Sequence, residues 1–298
     1  MVQCEADPRV FKMEDVGDYV RVILVIHVND ILVSGSEEYF STNNLGEVTW
    51  YMGCSVDRDW DRGTPSVAQT TFTDTLLKRF EVRGYKETPA SVSVKLGPTT
   101  GEDKKVNRPY RNAVVGLMWL AIVTRPDIAN SVRALARQSH DPCERYWEAV
   151  MKVLKYLNET KEFGLTFKKG HDKLSVYCNA DRAKKETDRR SVSGVAVMYG
   201  GAVVSATSRA QHCVTLSTTE AEYVAMADGA KEGLFVKAVL TFMRPQTVSE
   251  CGEDQGIILY EDNDEAKALA ENPLSSERSK HIDVRYHFIR ELVGVGKV

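Results

Sequence analysis

The alternation of apolar and polar positions separates the chain into three textures. In the first, β-favouring runs at Val20 to Ile26 and Ile31 to Val33 flank His27-Val28-Asn29-Asp30, and Ser34-Gly35-Ser36 closes the unit. That pattern predicts a tight hairpin with Asn-Asp at its tip. Trp50 to Val56 is an apolar segment broken by Gly53, Asp57 to Gly63 is turn-rich, and Thr73 to Phe80 predicts a short helix. Thr88 to Asn107, rich in Pro, Thr, Ser, Gly and charge, is the best linker candidate. Two helices open the second texture. Pro126 starts one, whose stripe Ile128, Val132 and Leu135 opposes Asn130, Arg133 and Arg137. The other places Trp147, Val150, Met151, Leu154 and Leu157 opposite Arg145, Lys152 and Lys155.

The third texture begins at Lys173. Leu174 to Cys178, Val192 to Tyr199 and Ala202 to Ala206 read as successive strands, with Gly200-Gly201 turning between the last two. Ser217-Thr218-Thr219-Glu220 is a capping-box pattern opening a helix from about Thr219 to Leu234. A buried-type strand at Ile257 to Tyr260 and helices at Asp264 to Ala270 and Asp283 to Val293 complete an α/β layout without internal repeats.

Composition narrows the classes. At 298 residues, with 43% apolar and 27% charged positions, the chain has the make-up and length of a globular protein of two domains. Apolar runs such as Val22 to Ile26 are too short to cross a bilayer, and no signal-peptide layout opens the chain. An intracellular protein, cytoplasmic or nuclear and without membrane partners, is expected. The six cysteines are scattered with no zinc-ligand spacing and read as reduced thiols. Trp50, Trp119 and Trp147 read as core and Trp60 as exposed at a turn, while His281 and His287 are too poorly spaced for a metal pair. The net charge of −3 hides a division, because Gly101 to Gly170 holds 13 Lys+Arg against 8 Asp+Glu. A basic middle between acidic flanks suits phosphate contact in one place and cations in another, and solvated helix faces explain it equally well.

The acids of the last texture carry the candidate chemistry. Asn179 and Asp181 end its first strand, Glu222 lies in the first turns of the helix, and Asp262 ends the fourth strand. Strand ends and a helix N-terminus converging at one spot are where an open α/β sheet places a site. Carboxylates there without His or Cys suit Mg²⁺. Each acid taken alone is more simply a surface group, so the case depends on the set.

Four segments carry a resemblance. Pro109-Tyr110-Arg111, Gly116 to Ala121 and Thr124-Arg125-Pro126-Asp127-Ile128-Ala129 form one; Leu216 to Ala225 form the second. Tyr260-Glu261-Asp262-Asn263-Asp264-Glu265-Ala266 and Lys280 to Glu291 are the others. Together they resemble the polymerase–nuclease connection and the ribonuclease H domain of copia-type long-terminal-repeat retrotransposon Pol polyproteins. Upstream, His27-Val28-Asn29-Asp30 sits where that family has Tyr-Val-Asp-Asp, and Leu45-Gly46 through Gly53 resembles the next palm hairpin.

The resemblance implies a partial reverse-transcriptase palm with a thumb-like helix at 1–90, a linker and basic helical connection at 91–170, and a ribonuclease H-like mixed sheet with helices at 171–298. It implies Mg²⁺, or Mn²⁺ in its place, held by Glu222, Asp262 and more weakly Asp181, with an RNA–DNA hybrid as partner. The departures are as informative. Asn29 stands at one of two polymerase aspartates, leaving Asp30, and the family's Ser-Asp-Ala-Asp-Trp-Ala is here Cys178-Asn179-Ala180-Asp181-Arg182-Ala183. The chain ends at Val298, before the strand and the acid-bearing helix that the family places next. An amide offers one neutral oxygen where a carboxylate offers two and a charge. At an effective dielectric of ~20 the lost attraction is several kcal/mol. The expectation is therefore an ancestral hybrid-cleaving nuclease with little or no activity and no polymerase activity. The alternative is a non-catalytic nucleic-acid-binding remnant. A hairpin exposed as an aggregation-prone edge at Val20 to Val33 is also expected.

Overall fold

The computed structural model describes residues 1–14, 20–28, 30–35, 46–90, 97, 99–171, 173–182, 189–243, 256–271 and 283–298. Among these residues the chain forms three four-stranded sheets and seven α-helices, an α/β architecture. Strands β1 (Val2–Gln3), β2 (Val10–Glu14), β3 (Val20–His27) and β4 (Asp30–Gly35) form the first sheet in that order. His27 pairs with Asp30, which is therefore the first residue of β4 and not part of the expected Asn-Asp tip. Val28 takes φ 53, an uncommon conformation for a β-branched side chain, and is exposed. Asn29 lies outside the described residues.

The expected bare edge is corrected in part. Strand β3 is paired on both sides, because Val10 to Glu14 supplies a neighbour that the sequence reading passed over. The edge is β4, whose Ile31 and Val33 are exposed.

The second sheet joins β5 (Trp50–Tyr51), β6 (Cys54–Asp59), β7 (Thr64–Ala68) and, from much later in the chain, β8 (Leu165–Thr166). Between β7 and β8 lie α1 (Thr70–Arg79), α2 (Tyr110–Val123), a 3₁₀ turn (Pro126–Ile128), α3 (Ala129–Ala136) and α4 (Glu144–Glu159). They share one core that includes Leu76, Leu117, Ile128, Leu135, Tyr146 and Leu154. Where two helices were expected after the linker, three form. The additional one, α2, is apolar nearly all round and gives no stripe to read; it leaves Val115 and Ile122 exposed. Trp119 and Trp50 are exposed, which corrects their reading as core; Trp147 is half-buried, edge-on to Phe80 at 6.0 Å.

Buried Arg125 joins the ends of α2 and α4. Its Nη1 donates to the Thr160 carbonyl (2.7 Å), its Nη2 to Thr160 Oγ1 (2.6 Å), and Nε and Nη2 form a fork on Asp127 at 3.0 and 2.7 Å. The Tyr156 hydroxyl donates to the same carboxylate at 2.7 Å, and the guanidinium lies over the Tyr156 and Phe163 rings. Arg133 donates to Ser208 Oγ at 3.0 Å, and Arg145 pairs with Asp103 at 3.0 Å. Part of the basic middle therefore holds the fold together.

The third sheet comprises β9 (Ser175–Asp181), β10 (Val192–Tyr199), β11 (Ala202–Ala210) and β12 (Ile258–Tyr260), in the order β11-β10-β9-β12. The first three are antiparallel and β12 runs parallel to β9. Helix α5 (Thr218–Met243) packs on this sheet; Gly229 leaves no room for a Cβ beside the Cys178 thiol, and a Cβ at Gly233 would come within 2.6 Å of Val176 and 2.7 Å of Ile257. Helices α6 (Asp264–Glu271) and α7 (Asp283–Gly294) pack against α5 through Ala266, Ala270 and Ile289. No helix among the described residues is long and apolar enough to cross a membrane.

Candidate metal centre

The start of α5 is tied down by a polar network. The Glu220 amide donates to Ser217 Oγ (3.0 Å), as the expected capping box requires, while Glu220 Oε2 accepts from the amide of Leu216 (2.5 Å), one residue before the expected partner. Buried Gln211 donates through Nε2 to Ser193 Oγ (3.0 Å) and to the Ala221 carbonyl (2.8 Å). The hydroxyls of Ser191 and Thr215 lie 2.7 Å apart beneath it. These bonds fix Glu222, one residue further on, against β9.

Past β12 the chain bends into α6. Asn263 Oδ1 accepts from the Ala266 amide (2.8 Å) and caps that helix, while Glu261 Oε1 accepts from the Asn263 amide (3.0 Å). Thr219 Oγ1 donates to Glu265 Oε2 at 2.6 Å, joining the starts of α5 and α6. Carboxylate oxygens of Glu222, Glu261 and Asp262 consequently gather within 4.8 Å of one another.

Two of the three predicted acids are therefore brought together, and a third member, Glu261, joins them. Strict strand alternation sends residues 261 and 262 to opposite faces. The strand stops at Tyr260, so that rule no longer applies. The run Glu261-Asp262-Asn263-Asp264-Glu265 was the only signal, and it reads as a solvated helix start. Asp181, exposed at the end of β9, influences Glu222 but does not enter the group of three. Asn179 is exposed on the same strand. Tyr260, the last residue of β12, pairs with Tyr177, two residues before Asn179 on β9. Asp30 begins β4 in a different sheet and lies apart from this cluster. His281 falls outside the described residues, as does the His287 side chain.

Electrostatically the cluster is under-neutralised. Burial, then the neighbouring Glu261, pushes the Glu222 carboxyl up to about 7, against a pull downward from the Ala180 backbone. Burial and the adjacent Asp262 also raise Glu261. The Cys178 thiol is pushed up to about 12 by burial and these acids, so it stays protonated and is no thiolate ligand. Glu222 Oε2 and Glu261 Oε2 are buried without a hydrogen-bond partner. Three carboxylates this close, two of them with a buried unpartnered oxygen, could hold a hard divalent cation, and the residues present fit Mg²⁺ or Mn²⁺.

A pH dependence follows. Below about 4.5, the ordinary value of a glutamate, Glu222 is protonated both folded and unfolded and has no effect. As pH rises towards 7 the unfolded chain ionises first, and stability falls. Above about 7 the full penalty, on the order of 3 kcal/mol, is present. Urea unfolding in chelator should show this decline for the native chain and a flatter profile for Glu222→Gln; parallel profiles would contradict it.

Comparison with known proteins places this geometry in context. Over 293 residues, 91% of the chain, it is 33% identical to the retrovirus-related Pol polyprotein from transposon TNT 1-94 of Nicotiana tabacum, covering 22% of that protein. It is 31% identical to the corresponding polyprotein from transposon RE2 of Arabidopsis thaliana, over 92% of the chain and 19% of the relative. A 131-residue stretch, 44% of the chain, is 41% identical to secreted RxLR effector protein 161 of Plasmopara viticola and covers 92% of it. The chain spans about a fifth of the length of the two polyproteins. No protein-family model and no solved structure matches it.

Proposed function

The chain belongs to the copia-type retrotransposon Pol polyprotein family, and from that premise we propose that it is a reverse-transcriptase–ribonuclease H segment whose hybrid-cleaving chemistry is largely lost. Residues 171–298 are read as the ribonuclease H-like domain, 91–170 as the linker and helical connection, and 1–90 as a partial palm with thumb-like helix. The mixed sheet β11-β10-β9-β12, with α5 packed across it, supports the first assignment.

One observation carries the functional reading: Glu222 and Asp262, from separate elements, meet in one carboxylate cluster, while position 179, where the family has an acid, is an amide. Glu222, Glu261 and Asp262 would hold a divalent ion, which when bound would stabilise charge developing on a phosphodiester. The protein's own contribution is to position these oxygens through the Gln211 and Ser217 networks and to keep them partly shielded from water. A neutral Asn179 withholds a ligand charge worth about 4 kcal/mol at an effective dielectric of ~20 and a separation of ~4 Å. That converts to about a thousandfold in rate.

In Mg²⁺, turnover of an RNA–DNA hybrid is accordingly expected about a thousandfold or more below that of an intact ribonuclease H. Hybrid binding, measured by fluorescence anisotropy, should weaken as salt is raised. Turnover matching the intact enzyme would sink the reading of lost activity. Binding without any cleavage, even in Mn²⁺, would identify the chain as a non-catalytic nucleic-acid-binding remnant.

A further inference from the structure

We propose that Glu261 is the third anionic ligand of a single-cation site, so that negative charge missing at position 179 is supplied from the end of β12 instead. The chemical class of ligand is a hard divalent cation. Only the choice of Mg²⁺ and Mn²⁺ as probes rests on the functional reading above.

Three observations converge. Glu261 is 8% exposed and Glu222 9%, and each has one carboxylate oxygen buried with no hydrogen-bond partner. Those side chains and Asp262 offer oxygens within 4.8 Å of one another, near enough for a shared ion. The second Glu261 oxygen is anchored by the Asn263 amide at 3.0 Å, so the carboxylate is held in place before any ligand arrives. A buried acid held by a backbone amide on one oxygen and unpaired on the other is costly unless something positive meets it. No basic side chain shares an ion pair with Glu222 or Glu261 among the described residues. Lys267 lies within electrostatic reach of Glu261 but is paired with Asp264, so the cation proposed for the site comes from solution, and the rival occupant is a proton on the acid cluster.

The arrangement also separates two charge histories at one site. With an aspartate at 179, ligands would come from β9, α5 and the end of β12. Here the end of β12 contributes twice, through Glu261 and Asp262, and β9 contributes no charge from Asn179.

The test is Mn²⁺ binding to the full chain, followed by isothermal titration and by the rise in melting temperature. Four variants are compared: Glu261→Gln, Glu222→Gln, Asn179→Ala and, as an exposed-acid control, Glu148→Gln. Glu261→Gln and Glu222→Gln should each weaken Mn²⁺ about tenfold or more while melting no lower than the native chain without metal. Asn179→Ala and Glu148→Gln should bind within about twofold of the native chain. Circular dichroism verifies that each variant folds, and Glu261→Asp, keeping the charge on a shorter arm, should recover part of the affinity if Glu261→Gln is unfolded. Native-like Mn²⁺ affinity in Glu261→Gln overturns the proposal. So does a loss confined to Glu222→Gln and Asn179→Ala, which would show an amide completing the shell, and so does absence of Mn²⁺ binding to the native chain at millimolar concentration. Hybrid turnover equal to an intact nuclease would refute lost activity and leave the ligand assignment standing, so the two ideas fail separately.

Discussion

Asn179→Asp should tighten Mn²⁺ binding by one to two orders of magnitude and raise RNA–DNA hybrid cleavage at least tenfold. Position 179 lies two residues past the Tyr177–Tyr260 pair, and Glu261 and Asp262 follow Tyr260, so a carboxylate there adds a full charge near three acids already gathered. At an effective dielectric of ~20 that charge attracts a cation ~4 Å away by several kcal/mol, part of which is offset by repulsion among the acids. The same repulsion should lower the melting temperature of the metal-free variant. Calorimetric titration of native and variant chains measures the first effect, and a gel assay of labelled hybrid the second. An unchanged affinity would mean that position 179 does not face the cluster, and the functional reading would lose its main support.

Arg125→Ala should destabilise the helical region by about 3–5 kcal/mol, the largest effect expected of any single replacement outside the sheets. The guanidinium is 2% exposed, bonded to Thr160 twice and to Asp127 through a fork, with the rings of Tyr156 and Phe163 against it. Its removal leaves the Thr160 carbonyl with the Phe163 amide as donor, and leaves a partly buried carboxylate whose remaining side-chain partner is the Tyr156 hydroxyl. Lysine should rescue little, because a point charge cannot reproduce the planar fork. Urea titration followed by tryptophan fluorescence decides it, and a loss below about 1 kcal/mol would show the network to be solvent-compensated.

The two predictions mark where the sequence was legible. The last third read well because its signals are local: an alternating apolar pattern for β9 and β10, a Gly-Gly turn before β11, and a Ser217 cap on the Glu220 amide at the start of α5. Signals that depend on distant partners did not read. Strand β2 mixes Lys12 and Glu14 with apolar residues, and its partner β3 defines it. The apolar segment α2 buries one side and exposes the other, so its helical period was masked. Glu261 escaped notice because its role depends on β12 ending at Tyr260, a boundary set by packing. Arg125 counted in the sequence only as one charge of the basic middle and one residue of a family motif, and its burial and hydrogen bonds show that it braces two helices.

Strand β8 has a consequence for how the molecule is made. Ser66 and Val67 pair with Thr166 and Leu165, roughly a hundred positions further along the chain. A ribosome exposes the β6–β7 hairpin long before its last neighbour is synthesised, and the intervening helices must dock before that short strand reaches it. Those docked helices shorten the effective loop and lower its closure entropy. The second sheet therefore seals late in assembly, and a fault in the helical core is felt there as an open seam.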